Sequence, residues 1–266
     1  MTGARDPDAG RDADPVFESV VRDGVCRFRR PGTRWLSTGH AGGRSAGPVA
    51  YNVSVPEGWD ETDVDGYVER RLSAAGFEES GPTLLTGVSM RHARRARLVP
   101  VEAVVTAGVS NPAALPVDGD GASAARRDGR KSNDAHAGTV NVVVGTARAL
   151  DAGALANLVA VAAEAKAATL LARTGFPGTT TDAVVAACDP GGEKAAYSGS
   201  ATEVGSAARA CVRDALSASL DSRYGGASEE DPGESDGIPA SVADAAYGVV
   251  TDQRASVSAV LADENG

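Results

Sequence analysis

Apolar residues fall in short runs through the first half of the chain and in longer helical periods through the second. "RWLSTG" and "VAYNVSV" (Val49 to Val55) predict strands joined by the glycine-rich "GHAGGRSAGP", with Pro56 and Gly58 ending the second. Val64, Tyr67, Val68 and Leu72 recur at helical spacing, so a helix is expected from a cap at Thr62 to about Ala75. "PTLLTGVS" and "VEAVVTAGVS" read as strands around a polar "MRHARRAR", and "GTVNVVVGT" (Gly138 to Thr146) as another. "DAGALANLVAVAAEAKAATLLARTG" is the strongest helix, capped by Asp151 and ended by Gly175. Its packing face is Leu155, Leu158, Ala162, Ala165, Thr169 and Ala172. A strand over Ala183–Ala187 follows, then a last long helix from about Ala201 to Tyr224.

Grouped early strands followed by alternating strands and helices predict an α/β or α+β fold: one domain with a mixed β-sheet covered by helices. The expected boundaries are a disordered segment 1–15, a catalytic domain 16–224 with a surface insertion 118–137, and an acidic linker and C-terminal segment 225–266. That last segment ends in a short amphipathic stretch of open attachment.

Composition narrows the function. Apolar residues are 42% of the chain but aromatics only 4%, so the core must be built from Ala, Val and Leu. The net charge of −10 lies in the two termini; residues 15–224 carry 23 charges of each sign. Without a basic stripe, nucleic acid is not an expected partner. No secretory signal is evident and no apolar run reaches the ~20 residues of a membrane span, so a soluble, cytoplasmic protein is expected, with no membrane partner. Cys26, Cys188 and Cys211 are odd in number and widely spaced, which argues against a disulfide framework or a cysteine-rich zinc site. Scarce lysine with abundant arginine and aspartate fits a salt-adapted organism or a GC-rich genome.

The familiar catalytic signatures for nucleophilic serine, zinc and phosphate chemistry are absent, and His40, His92 and His136 are scattered. What remains is polar residues within apolar strands or at their ends: Asn52, Glu102, Asn111, Asn141 and the run Thr179 to Asp182 in "GFPGTTTDAVVAAC". A half-buried carboxylate can serve as general base, a threonine hydroxyl beside it as nucleophile, and asparagine amides as oxyanion donors. Together these suit metal-independent amide hydrolysis. Plainer readings stand beside them: strand asparagines satisfy backbone groups, and "GTTTD" is a turn held by side-chain-to-backbone bonds. Glu164 and Lys166, two apart on a helix, do not face each other and read as solvated or edge residues. His92 reads as part of an exposed loop, and Cys188 and Cys211 as small core residues.

The segments "GPTLLTGVSMRHARRAR", "PVEAVVTAGVSNPAALP", "GTVNVVVGTARALDAGALANLVAVAAEAKAATLL", "TGFPGTTTDAVVAAC" and "YSGSATEVGSAARACVRDAL" resemble, in order and spacing, the adenosylcobinamide amidohydrolase family, from about Arg34 to Tyr224. The resemblance implies hydrolysis of the amide between the aminopropanol arm and the corrin ring of adenosylcobinamide. The product would be adenosylcobyric acid, for corrinoid salvage in coenzyme B12 synthesis. It also implies no cofactor or protein-bound metal, since cobalt belongs to the corrinoid substrate. "GTTTD" resembles a Gly-Thr-x-Thr-Asp segment of the family. The expected roles are Asp182 or Glu102 as base, acting on water or on Thr180 or Thr181. Asn52, Asn111 or Asn141 would steady the oxyanion, and His40, Gly42 and Gly43 would meet the corrin or its arm. The alternatives are a non-catalytic corrinoid-binding protein and a metal-independent amide hydrolase for another small substrate; a homo-oligomer is left open.

Overall fold

The structure, a computed structural model, describes residues 15–56, 58–117, 138–225, 237–245 and 247–257. The expected N-terminal segment up to residue 14, the insertion 118–137 and the linker residues 226–236 lie outside them. Eight strands form one mixed sheet: β1 (Glu18–Arg22), β2 (Val25–Ser37), β3 (Gly43–Ser54), β4 (Thr83–Thr86), β5 (Arg94–Leu98), β6 (Val101–Ala107), β8 (Val140–Thr146) and β10 (Ala183–Cys188). The order is β4-β3-β2-β10-β8-β6-β5, with β1 also paired to β2. The β8–β10 and β3–β4 pairs are parallel and the others antiparallel. A smaller sheet joins β7 (Pro112–Ala114), β9 (Gly178–Thr179) and β11 (Val249–Val250). Helices are α1 (Val64–Ala74), α2 (Ala152–Thr174) and α3 (Glu203–Tyr224).

Every residue of β6, β8 and β10 is buried, because the sheet is covered on both faces. Val101, Ala103 and Val105 with Val142 and Val144 pack under α2 and α3. The opposite face sets Val104, Val143 and Val185 against Phe17, Phe28 and Trp35. With so few aromatics, three of them concentrate here: Phe17 stacks on Trp35 at 5.7 Å and meets Phe28 edge-on. Side-chain bonds from β3 to β6 and β8, described below, show that this second face is closed by the sheet's own far strands.

Several elements differ from the sequence expectation. The strand "RWLSTG" is only the end of β2, whose first half pairs with β1. Pro31 and Gly32 would ordinarily argue against a strand, but a register shift between Arg29 and Thr33, with Gly32 at φ 73°, absorbs them as a bulge. Much of the glycine-rich connection belongs to β3. Asp63, not Thr62, caps α1 by accepting from the Gly66 amide. "MRHARRAR" is not a loop: Met90–His92 form a 3-10 turn, and Arg94–Leu98 are an edge strand whose charges suit an unpaired edge. His92 is buried, with Nδ1 3.0 Å from Ser222 Oγ on α3. The expected caps of α2 hold: Asp151 accepts from the Ala154 amide and Gly175 closes the helix at φ 80°. α2 is long and apolar enough to cross a membrane, but it packs on β10 and α3, with Ala172 exposed. Cys188 and Cys211 are buried in the core as expected.

Candidate functional site

The parallel strands β8 and β10 begin at one end of the sheet's central strands, and the antiparallel β6 ends there. That end collects the polar residues. Thr179 ends β9, Thr180 and Thr181 form the turn that follows, and Asp182 sits just before the first residue of β10.

Four donors occupy the Asp182 carboxylate. Oδ1 accepts from the Val140 amide at 3.0 Å and from the Thr179 hydroxyl; Oδ2 accepts from the Thr179 amide at 3.0 Å and from Lys166 Nζ. Lys166 comes from α2 and is only 9% exposed. Gly178 makes the approach feasible, since a Cβ there would lie 2.8 Å from Asp182 Oδ2 and 3.2 Å from Lys166 Nζ. The neighbouring hydroxyls have other partners. Thr180 Oγ1 accepts from Asn111 Nδ2 at 2.6 Å, and the Thr180 amide donates to the Asn111 carbonyl. Thr181 Oγ1 meets Thr139 Oγ1 at 2.8 Å.

Behind this cluster lies a buried amide network. Asn141 Nδ2 donates to Asn52 Oδ1 and to the Leu85 carbonyl, both at 2.9 Å, and Asn52 Nδ2 donates to Thr106 Oγ1 at 3.0 Å. A carbonyl only accepts, so the Leu85 contact fixes the orientation of the Asn141 amide. Its two N–H groups are therefore spent within the protein. Asn141 Oδ1 and Asn111 Oδ1 are buried acceptors without a hydrogen-bond partner among the described residues. Asn141 thus has no N–H left for an oxyanion, while Asn52 and Asn111 each donate one bond, to Thr106 and Thr180.

Glu102 does not join the cluster. Opposite Gly145, it lies at the other end of β6 and β8, with no exposed surface. Its Oε2 accepts from the Val16 amide at 3.1 Å, while Arg95 Nε and Arg97 Nε stand 3.3 and 3.5 Å from its two oxygens. Burial raises its pKa above the usual value; the Arg95 charge, the Val16 amide, the Arg97 charge and the Phe17 amide oppose that shift. Beside it the Phe17 ring lies over Gly145, where a Cβ would be 2.1 Å from the ring. Glu102 thus anchors the N-terminal strand to the sheet.

His40, Gly42 and Gly43 border a different feature, a groove of about 520 Å³ between the β2–β3 loop, α1 and the segment entering β4. His40 Nε2 is 2.9 Å from Asp65 Oδ1 on α1. The glycines serve the turn itself: a Cβ on Gly42 would lie 2.5 Å from the Ser37 carbonyl, and Gly43 has φ 110°. Groove and cluster are neighbours, not one cavity. Leu85 lines the groove and accepts from Asn141, and Thr38 Oγ1, next to the groove residue Ser37, accepts from the Val184 amide of β10.

Sequence reasoning passed over Thr106 and Thr139, favoured Thr180 or Thr181 over Thr179 within the run, and read Lys166 as a solvated or edge residue, whereas it is buried against Asp182. For Lys166 the signal was present. It follows Ala162 by four positions and precedes Thr169 by three, so it shares their buried face, and one of only three lysines stands there.

Comparison with known proteins gives one family. Residues 12–228 match the model of the adenosylcobinamide amidohydrolase family. A protein of that name from Halobacterium salinarum is 54% identical over 244 residues, covering 91% of this chain and 99% of its own. Another from Methanosarcina mazei is 30% identical over 198 residues, covering 71% of this chain and 90% of its own. Among solved structures, a Pyrococcus horikoshii OT3 protein aligns over 76% of this chain and 78% of its own, at 14% identity and a TM-score of 0.38.

Proposed function

We infer the reaction from the family and the residues from the geometry: this chain belongs to the adenosylcobinamide amidohydrolase family. It hydrolyses the amide of adenosylcobinamide, releasing the aminopropanol arm and giving adenosylcobyric acid for corrinoid salvage. The substrate is the corrinoid, whose cobalt enters and leaves with it. The working compartment we propose is the cytoplasm.

The observation that carries the mechanism is the saturation of Asp182. A carboxylate offers about four lone-pair sites, and here all four hold donors. A water could reach it only by displacing one of them. The hydroxyl already in place is that of Thr179, so we assign Thr179 as nucleophile, Asp182 as its general base and Lys166 as the group that holds the base. Thr179 Oγ attacks the carbonyl carbon as its proton passes to Asp182. The carbon–nitrogen bond breaks, the amine leaves with that proton, and water then hydrolyses the ester to the acid. Asn111 fixes Thr180 beside the reacting group. The groove at His40, Gly42 and Gly43 receives one edge of the corrinoid. A corrin ring with its axial adenosyl group is too large to enter it whole. Glu102 has no part in the chemistry.

The test is incubation of the purified protein with adenosylcobinamide in molar salt, a medium matched to its acidic, lysine-poor composition. Corrinoids are then resolved by chromatography and mass. Adenosylcobyric acid is the expected product; intact substrate with folded protein would refute the reading.

A further inference from the structure

The reactive loop is held by a segment that follows residue 228, where the family-model match ends. β7 begins at Pro112, directly after Asn111, and pairs antiparallel with β9, setting Pro112 opposite Thr179 and Ala113 opposite Gly178. On its other edge β7 pairs in parallel with β11, Val249 opposite Ala113 and Val250 opposite Ala114. The Thr251 amide extends this ladder to the Ala114 carbonyl at 3.1 Å. β11 lies beyond residue 228, where the family match ends.

Two facts show this segment to be fitted. Gly248 admits no side chain, because a Cβ there would lie 2.9 Å from both the Pro112 carbonyl and Val242 Cγ1. Ile238 packs against the main core and Ala245 is buried, so the segment is attached ahead of β11 as well. Strands of two or three residues do not hold a pairing unaided in water. The β7–β9 contact therefore draws on its third strand, and with it the bond between the Thr180 amide and the Asn111 carbonyl.

We propose that residues 238–245 and 247–251 form a positioning strap, with β11 clamping β7 so that Asn111 and Thr179 keep the geometry of the reacting group. The proposal rests on the assignment of Thr179 and Asp182 above. Misplacing a reacting group slows the chemical step while leaving groove contacts intact.

The test uses the full chain carrying Gly248→Val, which drives β11 off Pro112, or Thr251→Pro, which removes the donor to Ala114. Thr251→Ala keeps that donor and serves as the conservative control. Each variant is read by kcat, KM, the main thermal transition and hydrogen exchange at the Thr180 amide. The first two should lose about tenfold or more in kcat, with KM within about twofold, an unchanged main transition and faster Thr180 exchange. Thr251→Ala should match the parent. Released strands with unchanged kcat would overturn the proposal, and so would a kcat loss that merely follows a lowered main transition. If the parent forms no product, the hydrolase reading fails, while Thr180 exchange still reports whether the strap holds the loop.

Discussion

Lys166 of α2 donates to Asp182 at the mouth of β10, sixteen residues further along the chain, and both side chains are nearly buried. The pair ties the long helix to the strand that follows it. Removing one partner of a buried pair leaves an uncompensated charge. Lys166→Met should therefore lower stability by about 3 kcal/mol and abolish turnover. Adding Asp182→Asn to that variant should recover much of the stability and none of the activity. Denaturant unfolding of the single and double variants checks this; simple addition of the two losses would contradict it.

The hydroxyl assignment separates Thr179 from its neighbours. Thr179→Ser should retain most activity, and Thr179→Val should lose about 10³-fold in kcat, within the range a positioned proton-transfer pair contributes. Hydroxylamine added to the parent enzyme should divert product to the hydroxamate. A nearly active Thr179→Val would mean that water attacks and that Thr179 only caps a turn.

Gly178 is outside the left-handed region, so its constraint is space rather than backbone strain. Gly178→Ala places a methyl group against Asp182 and Lys166. Expected are a kcat loss of about tenfold or more and a stability loss of about 1–3 kcal/mol, the usual cost of overpacking. Activity and thermal unfolding equal to the parent's would show that the turn yields freely.

How much of this was legible in the sequence differs by element. Helices α2 and α3 follow from their periods and caps, and strands β6, β8 and β10 from short continuous apolar runs, because both faces of these strands are buried. β1 and the first half of β2 were hidden by Pro31 and Gly32, which signal a turn unless a bulge is known. Asp182 and Asn111 were visible as polar residues at apolar strand ends. Lys166 was hidden because neighbours in sequence, not residues a turn away, were weighed as its partners. Glu102 looked equally suited as a base, and only the register, opposite Gly145, separates it from Asp182.

Glu102 also gives a pH signature. Its folded pKa is raised, chiefly by burial, above the ordinary 4.5. A carboxyl shifted this way favours the fold most when protonated, below its unfolded value. That contribution is lost as pH rises through the folded value. The parent should therefore lose stability relative to Glu102→Gln as pH is raised from about 4.5 into the neutral range, and catalysis at neutral pH should be little changed. Thermal unfolding of both proteins across that range checks it; a constant difference would contradict the raised value.

The most direct measurement of the central claim is the adenosylcobinamide assay on Asp182→Asn beside the parent, with circular dichroism on both. The amide keeps the size of the carboxylate but cannot take the Thr179 proton. Expected are native-like spectra, adenosylcobyric acid from the parent and a kcat lowered by about 10²–10⁴-fold in the variant. A folded Asp182→Asn protein turning over at the parent's rate would remove Asp182 from the mechanism.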